Sequence, residues 1–246
     1  MISHYINNPV LSERMSDYNF NKFTASHIAR IKTYTPGPDI KLYGVSAATI
    51  MTTMIADTEN SYSAWRSSAD VESVDRSKKS GKTITVGDSI YELKSFISRK
   101  EGVIKDKFPK GSAVYKEFFP NGLKEYSAMT KKNADAIVKR FITTLDAHKT
   151  DFDASILTEA NERYNTYLSL RKGQLEAIGT VRDEITDSED KRHDLSVQLY
   201  RNLLTLLLLN AEEPERVSNF FDESMMKKKS NGEEPALSAT QQQQSK

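Results

Sequence analysis

Cysteine is absent from this chain of 246 residues. Its absence excludes disulfide bonds, a thiolate nucleophile and any zinc site built on cysteine. Glycine and proline, the residues that most often interrupt helices, occur only 10 and 7 times. The scarcity of both favours long, uninterrupted helices.

Long apolar runs are also missing. The most apolar stretch, 203–209, is interrupted by Thr205 and is far shorter than the roughly 20 residues that a membrane-spanning helix requires. Residues 1–10 lack the basic region and following apolar run of a secretory signal. We therefore expect a cytoplasmic protein that does not enter the membrane.

The chain has no large excess of charge of either sign. It contains 35 Lys and Arg against 34 Asp and Glu, and 37% of its residues are hydrophobic, so a core is available and the overall charge does not dictate a partner. Residues 76–149 are basic and residues 150–195 are acidic. The simplest explanation of this uneven charge distribution is that the two segments contact each other. Nucleic-acid binding is disfavoured because the lysines alternate with acids and lack a pattern of aromatic residues for base stacking.

Apolar residues recur at steps of three and four over most of the chain, which is typical of helices that bury one face. The pattern is clearest over residues 123–148 and 157–185. Only residues 149–152 separate these two segments, so they are predicted to form an antiparallel helical hairpin.

The first half of the sequence contains three further helical patterns. A first helix is predicted over 12–34, with Ser12 as its cap, and a second over 45–77. The polar residues 67–82 are expected to protrude from the core or fray into a loop, and 83–86 to form an extended linker or a helix start. Gly87 and Asp88 offer a cap for a third helix that ends at Phe108 and Pro109, and a short helix is expected around Val114 and Phe118.

The last part of the sequence predicts one break and one short helix. Residues 186–189 have the spacing of a capping box, in which Thr186 caps a new helix and Glu189 bonds back to the cap. The helix that follows is leucine-rich, and Pro214 suits the first position of a final short helix. Residues 227–246 are polar and end in four glutamines, so a disordered tail is expected.

Together these patterns predict an all-α fold. We expect an elongated, antiparallel, up-and-down bundle of long amphipathic helices, with a single domain over residues 1–226 and the disordered polar tail over 227–246.

The sequence Ser80-Gly81-Lys82-Thr83 resembles the end of a phosphate-binding P-loop. The motif is incomplete, because Arg76 stands where the first glycine is required and no apolar strand precedes it. We therefore interpret this segment as a flexible basic loop.

The histidines offer one candidate metal site. His27 and His148 fall on apolar faces, where a hydrogen-bonded core or rim histidine is the common outcome. Glu189 and His193 are four residues apart, so both could face the same metal ion. No second Glu-x-x-His pair accompanies them, which favours a solvated helix junction over a metal site.

Arg171 and Arg182 fall on the apolar face of the longest predicted helix, with Tyr164 and Tyr167 nearby. A buried arginine requires an anionic partner, so these four residues are candidates for binding a carboxylate or phosphate ligand. The competing interpretation is that the arginine stems pack on the core and the guanidinium groups reach water.

The sequence contains no recognisable catalytic set, so a non-enzymatic scaffold or protein-interaction role is favoured, with no cofactor. Self-association or binding of another protein is expected through the leucine-rich helix, with its surface formed by Leu203, Leu204, Leu207 and Leu208. The alternative is a helical bundle that binds a small anionic ligand or a metal, and such a bundle could be an enzyme.

Overall fold

The computed structural model describes residues 15–226. Ser12 and the predicted disordered tail, 227–246, lie outside this range, but the first helix of the described range begins only at Asp17 with Ser16 as its cap, so the predicted helix start at Ser12 is wrong. The chain divides into two compact units. Unit 1 comprises residues up to Ala69 and from Thr186, and unit 2 comprises Asp70–Ile185. The prediction of a single domain over residues 1–226 stays a prediction.

The described residues form six α helices and a few short elements, which confirms the all-α fold class. The α helices are α1 (Asp17–Thr33), α2 (Ala47–Lys107), α3 (Ala113–Phe118), α4 (Leu123–Ser127), α5 (Ala134–Ala147) and α6 (Ala154–Leu209). The short elements are the strands β1 (Lys41–Leu42) and β2 (Val45–Ser46) and the 3₁₀ helices Lys149–Asp151, Pro214–Phe220 and Glu223–Met226. Within the described range, no helix is both long enough and apolar enough to cross a membrane.

Helices α2 and α6 are antiparallel within each unit. In unit 2, hydrogen bonds or ion pairs join residue 83 of α2 with 174 of α6, residue 92 with 163, and residue 100 with 159. The residue numbers along α6 fall as those along α2 rise, so the two helices run in opposite directions. In unit 1, Ser68 bonds to Asp187 and Thr58 bonds to Asn202. The same reversal of direction follows.

The interior of α2 differs from the prediction. The residues expected to fray, to form an extended linker and to start a new helix at Asp88 all belong to one continuous helix. Thr83 bonds to Gln174 of α6, and Val86 is fully buried. Tertiary packing of this face therefore overrides the weak local preference for extended chain. The expectation of a flexible basic loop at residues 80–83 is wrong for the same reason.

The predicted break at Thr186 is also wrong, because α6 passes through it without interruption. Ser188 is buried, and the carboxylate of Asp187 accepts a hydrogen bond from the Ser68 hydroxyl at 2.7 Å. A capping box is useful only where backbone amides lack a helical partner, and inside a continuous helix those amides are already bonded.

The predicted helix over 123–148 is divided into α4 and α5. Between them the side-chain oxygen of Asn133 accepts a hydrogen bond from the backbone amide of Thr130 at 2.6 Å. Short polar side chains that bond to nearby backbone in this way compete with helix continuation. The expected connection at 149–152 is confirmed and contains the 3₁₀ helix Lys149–Asp151. The short helix expected around Val114 and Phe118 is confirmed as α3.

Unit 1 also contains a small hairpin that the sequence analysis missed. Strand β1 pairs antiparallel with β2, Lys41 opposite Ser46 and Leu42 opposite Val45. The two turn residues, Tyr43 and Gly44, have φ of 51° and 81°. Two consecutive positive φ values are the mark of a tight hairpin turn, and glycine adopts the second without strain.

Each unit has its own apolar core. The core of unit 1 centres on α1, the start of α2 and the end of α6, and its fully buried members include Phe20, Phe23, Ile31, Leu195, Leu199 and Leu206. The core of unit 2 is rich in aromatic residues and includes Phe96, Phe118, Tyr126, Phe141 and Leu145. Each such side chain contributes about 1.5 to 3 kcal/mol by leaving water.

Candidate functional site

The leucine-rich end of α6 has one face in the core of unit 1 and one face in solvent. Leu203 is buried in the core and Leu207 packs partly against it. Leu204 and Leu208 point outward, with 40% and 54% of their surface exposed. Of the four residues predicted as an interaction surface, two therefore support the core and two form an exposed pair one helical turn apart.

Charged residues flank this exposed pair. Arg201 lies on α6 three residues before Leu204, Glu212 lies in the turn that follows the end of α6 at Leu209, and both are exposed. Within residues 15–226, neither Arg201 nor Glu212 forms an ion pair. We call Arg201, Leu204, Leu208 and Glu212 the leucine face.

A buried polar cluster lies on the opposite side of the same helix. The Nδ2 amide of Asn202 donates to Nε2 of His27 at 3.0 Å and to Oγ1 of Thr58 at 2.7 Å. Nδ1 of His27 is 2.9 Å from the carbonyl oxygen of Phe220. Because that carbonyl can only accept, Nδ1 carries the hydrogen and Nε2 accepts from Asn202. The three side chains therefore join α1, α2 and α6 and hold the 3₁₀ helix Pro214–Phe220 against them.

The environment of His27 favours its neutral form. The pKa of His27 is lowered to about 4, chiefly by burial and also by the nearby charge of Arg30, while the bond to the Phe220 carbonyl acts in the opposite direction. The ring also stacks on Phe221, with centroids 4.3 Å apart. The sequence predicted a hydrogen-bonded core or rim histidine here, and His27 is one. Thr58 and Asn202 were missed, although an asparagine directly before the leucine-rich stretch 203–209 is a usable signal.

In unit 2, the structure brings together three of the four residues proposed to bind an anion. Arg171 is half-buried and donates a hydrogen bond to the side-chain oxygen of Gln174. The Tyr164 hydroxyl donates to Asp135, and Tyr167 is buried. Arg182 is exposed and lies eleven residues further along α6, which is about 16 Å from Arg171 at about 1.5 Å per residue.

The two tyrosines are held in their neutral form. Burial raises the pKa of Tyr164 to about 12, and the hydrogen bond to the Asp135 carboxylate raises it as well. Burial also raises the pKa of Tyr167, against the opposing effect of the Arg171 charge. Both hydroxyls are therefore hydrogen-bond donors over the whole physiological pH range.

Two lysines that are distant in sequence join Arg171. The Lys82 ammonium donates to the backbone oxygen of Gly173 at 3.2 Å, and the Lys131 ammonium donates to the backbone oxygen of Thr83 at 3.1 Å. The Gln174 amide in turn donates to Oγ1 of Thr83 at 2.9 Å. We call Lys82, Lys131 and Arg171 the basic cluster. The sequence analysis named Arg171 as an anion-binding candidate and Lys82 as part of a P-loop-like segment, but it gave no signal that these two residues meet or that Lys131 joins them, because the three come from separate segments.

The tetrapeptide at 80–83 does not act as a P-loop. It lies inside α2, so its backbone amides form helical hydrogen bonds and are not available to a phosphate. Lys82 and Thr83 nevertheless face α6. The Lys82 ammonium donates to the backbone oxygen of Gly173, and the Thr83 hydroxyl accepts from the Gln174 amide.

Glu189 and His193, the candidate metal ligands, are exposed and lie one turn apart on α6. In the described part of the chain, no group of three or more His, Asp or Glu side chains is arranged to hold a metal ion. His148, which was predicted to be a hydrogen-bonded core or rim histidine, lies at the edge of the unit 2 core, where its Nε2 is 3.1 Å from the Glu117 carboxylate.

Unit 2 also carries a surface groove of about 230 Å³ lined by Ser89, Glu92, Glu159, Glu162, Arg163 and Thr166. Arg163 and Lys100 both form ion pairs with Glu159, at 3.0 Å and 3.3 Å. These contacts lower the pKa of Glu159 against the opposing effect of burial, the largest single influence. The carboxylate of Glu159 is therefore paired within the protein.

Comparison with known proteins gives no assignment: no family model, no curated protein and no solved structure matches the chain. The fold and the local geometry define an all-α helical protein, and any function must be argued from its surfaces.

Proposed function

We propose that this protein is a non-enzymatic helical interaction module that pairs with a second copy of itself through the leucine face of α6. The observation that carries the proposal is the exposure of Leu204 and Leu208 on consecutive turns of a helix whose other face is core. Two adjacent exposed leucines on a rigid helix present a ready apolar contact.

The flanking charges suit a second copy in antiparallel orientation. Pairs of identical chains most often follow two-fold symmetry, in which each contact occurs twice. When two leucine faces meet antiparallel and centred between Leu204 and Leu208, Arg201 of one copy comes level with the turn that follows α6 in the other copy, and this turn contains Glu212. Both residues lack an ion pair within the described chain, so the pairing supplies a partner to each.

The expected affinity is low. Four leucine side chains would be buried, and each is already about half covered in the single chain. At about 1.5 to 3 kcal/mol for complete burial of one leucine, the pairing is expected to have a dissociation constant roughly in the micromolar to millimolar range.

Sedimentation velocity of the full chain tests the proposal. The sedimentation coefficient should rise as the protein concentration increases from about 10 µM to about 1 mM. Leu208→Glu should keep the protein monomeric over that range, because it sets a carboxylate in an apolar contact. Leu175→Glu is the matched control, since Leu175 lies on the same helix with 52% of its surface exposed, and this variant should associate normally.

A charge exchange tests the orientation. Arg201→Glu should weaken association, and the double variant with Arg201→Glu and Glu212→Arg should restore it, because the pair is re-formed with reversed signs. A wild-type protein that remains monomeric at every concentration refutes self-association. Association that is insensitive to Leu208→Glu refutes the leucine face as its surface.

A further inference from the structure

The basic cluster of unit 2 is built by tertiary structure and by no local motif. Its three cations come from α2, from the segment between α4 and α5, and from α6. They are tied together through Thr83 of α2 and the adjacent residues Gly173 and Gln174 of α6. All three cations are thereby bonded to one small group of neighbouring residues.

None of these cations has a carboxylate in ion-pair contact among the residues that the structure describes. Each donates to a neutral oxygen instead: Lys82 to Gly173, Lys131 to Thr83 and Arg171 to Gln174. A neutral carbonyl or amide oxygen accepts a hydrogen bond but does not cancel the charge. The repulsion among the three cations therefore stays uncompensated within unit 2.

The surroundings of the cluster add little negative charge. Asp135 acts on this region through its influence on Tyr167, and its carboxylate accepts the hydrogen bond of Tyr164. Lys132 and Lys172, the sequence neighbours of two cluster members, are exposed and add further positive charge. The local field favours an anion from outside the protein.

We infer that Lys82, Lys131 and Arg171 form a binding site for a multiply charged phosphate compound, such as a diphosphate or a phosphate ester. The two ammonium groups act as point charges, and the guanidinium supplies a planar set of donors that matches phosphate oxygens. Each lysine uses one ammonium hydrogen in its bond to the backbone, which leaves two for a ligand. Gln174, buried and bonded to both Arg171 and Thr83, holds the guanidinium in position.

Three charges on the protein match an anion with two or more charges better than a single carboxylate. The site is formed by side chains of α2, of α6 and of the segment between α4 and α5, which distinguishes it from a P-loop, where backbone amides bind the phosphate. It does not depend on the leucine face, which belongs to unit 1.

Isothermal titration calorimetry of the full chain with sodium pyrophosphate at low ionic strength tests the inference. The wild-type protein should bind, and Lys131→Gln and Arg171→Gln should each weaken binding about ten-fold, as expected for loss of one charge-assisted bond. Lys132→Gln and Lys172→Gln are the matched controls, because each removes one positive charge from the neighbouring exposed position. Both should change the affinity by less than about three-fold.

Each alternative result is decisive. Absence of binding by the wild type overturns the inference, and so does an equal loss in Lys131→Gln and Lys132→Gln, which would indicate diffuse attraction. Citrate, titrated in parallel, should bind more weakly than pyrophosphate; equal binding overturns the assignment to phosphate. If circular dichroism shows that a variant at Lys131 or Arg171 does not fold, Lys82→Gln replaces it, because Lys82 is exposed and its loss leaves the bond between Thr83 and Gln174 intact. Lys82→Gln should then weaken pyrophosphate binding, and unchanged affinity overturns the inference.

Discussion

The side-chain amide of Asn202 lies 3.0 Å from Nε2 of His27, inside the apolar core of unit 1. Both residues are almost completely buried, and the same amide also donates to Thr58. A buried polar group that loses its partner keeps its full desolvation cost. The helices that carry Asn202, His27 and Thr58 must therefore pack so that these side chains meet, a condition that a core of leucines alone would not impose.

Replacing Asn202 by alanine should lower the free energy of unfolding by about 2 to 3 kcal/mol, because Nε2 of His27 is left buried without a donor. Urea denaturation followed by circular dichroism measures the change. Asn165→Ala is the control, since Asn165 is exposed on the same helix, and it should stay within about 0.5 kcal/mol of the wild type. Equal effects in the two variants would contradict the structural role of Asn202.

Stability should fall in mild acid because of His27. Its pKa is lowered from 6.5 to about 4 in the folded protein, so between these values the unfolded chain binds a proton that the folded chain does not. The free energy of unfolding therefore decreases as the pH falls from about 6.5 to about 4, by about 3 kcal/mol over the whole window.

The measurement is urea denaturation at a series of pH values between about 7 and 4. His27→Gln, which cannot titrate, should show a smaller loss across this window. His193→Gln should behave like the wild type, because His193 is exposed. A wild-type slope that persists unchanged in His27→Gln would assign the acid sensitivity to other groups.

The two sides of the leucine-rich helix end should respond differently to truncation. Leu206→Ala should cost about 2 to 5 kcal/mol, because Leu206 is fully buried and the change leaves a cavity. Leu208→Ala, on the exposed side, should cost less than about 1 kcal/mol in the single chain. Thermal unfolding at low protein concentration separates the two, and similar losses would mean that Leu208 is not exposed in solution.

The continuity of α2 can be tested at Gly81. An exposed glycine inside a helix costs about 0.5 to 1 kcal/mol relative to alanine, and no atom lies within 4 Å of the position where a Cβ would be built at Gly81. Gly81→Ala should therefore stabilise the protein by about that amount. Gly122→Ala should destabilise it, because Gly122 has φ of 66° and an L residue is strained there. A neutral or harmful Gly81→Ala would indicate that this segment is not helical.

The sequence by itself determined that the protein is helical. Apolar residues at steps of three and four along 123–148 and 157–185 can bury one face only as helices, although the first segment is divided into α4 and α5, and the connection at 149–152 followed from the same spacing. The core position of His27 was also predictable, because it falls in register with Phe23 and Ile31.

Only the tertiary structure decided where helices continue and which polar residues meet. Local signals for a cap at Asp88 and a break at Thr186 were overridden, because packing between α2 and α6 rewards continuation more than a local cap rewards a stop. The basic cluster likewise depends on contacts between residues 48 and 91 positions apart in the sequence, which no local spacing encodes. Periodicity fixes how each segment folds, whereas the meeting of distant side chains depends on how the folded segments pack.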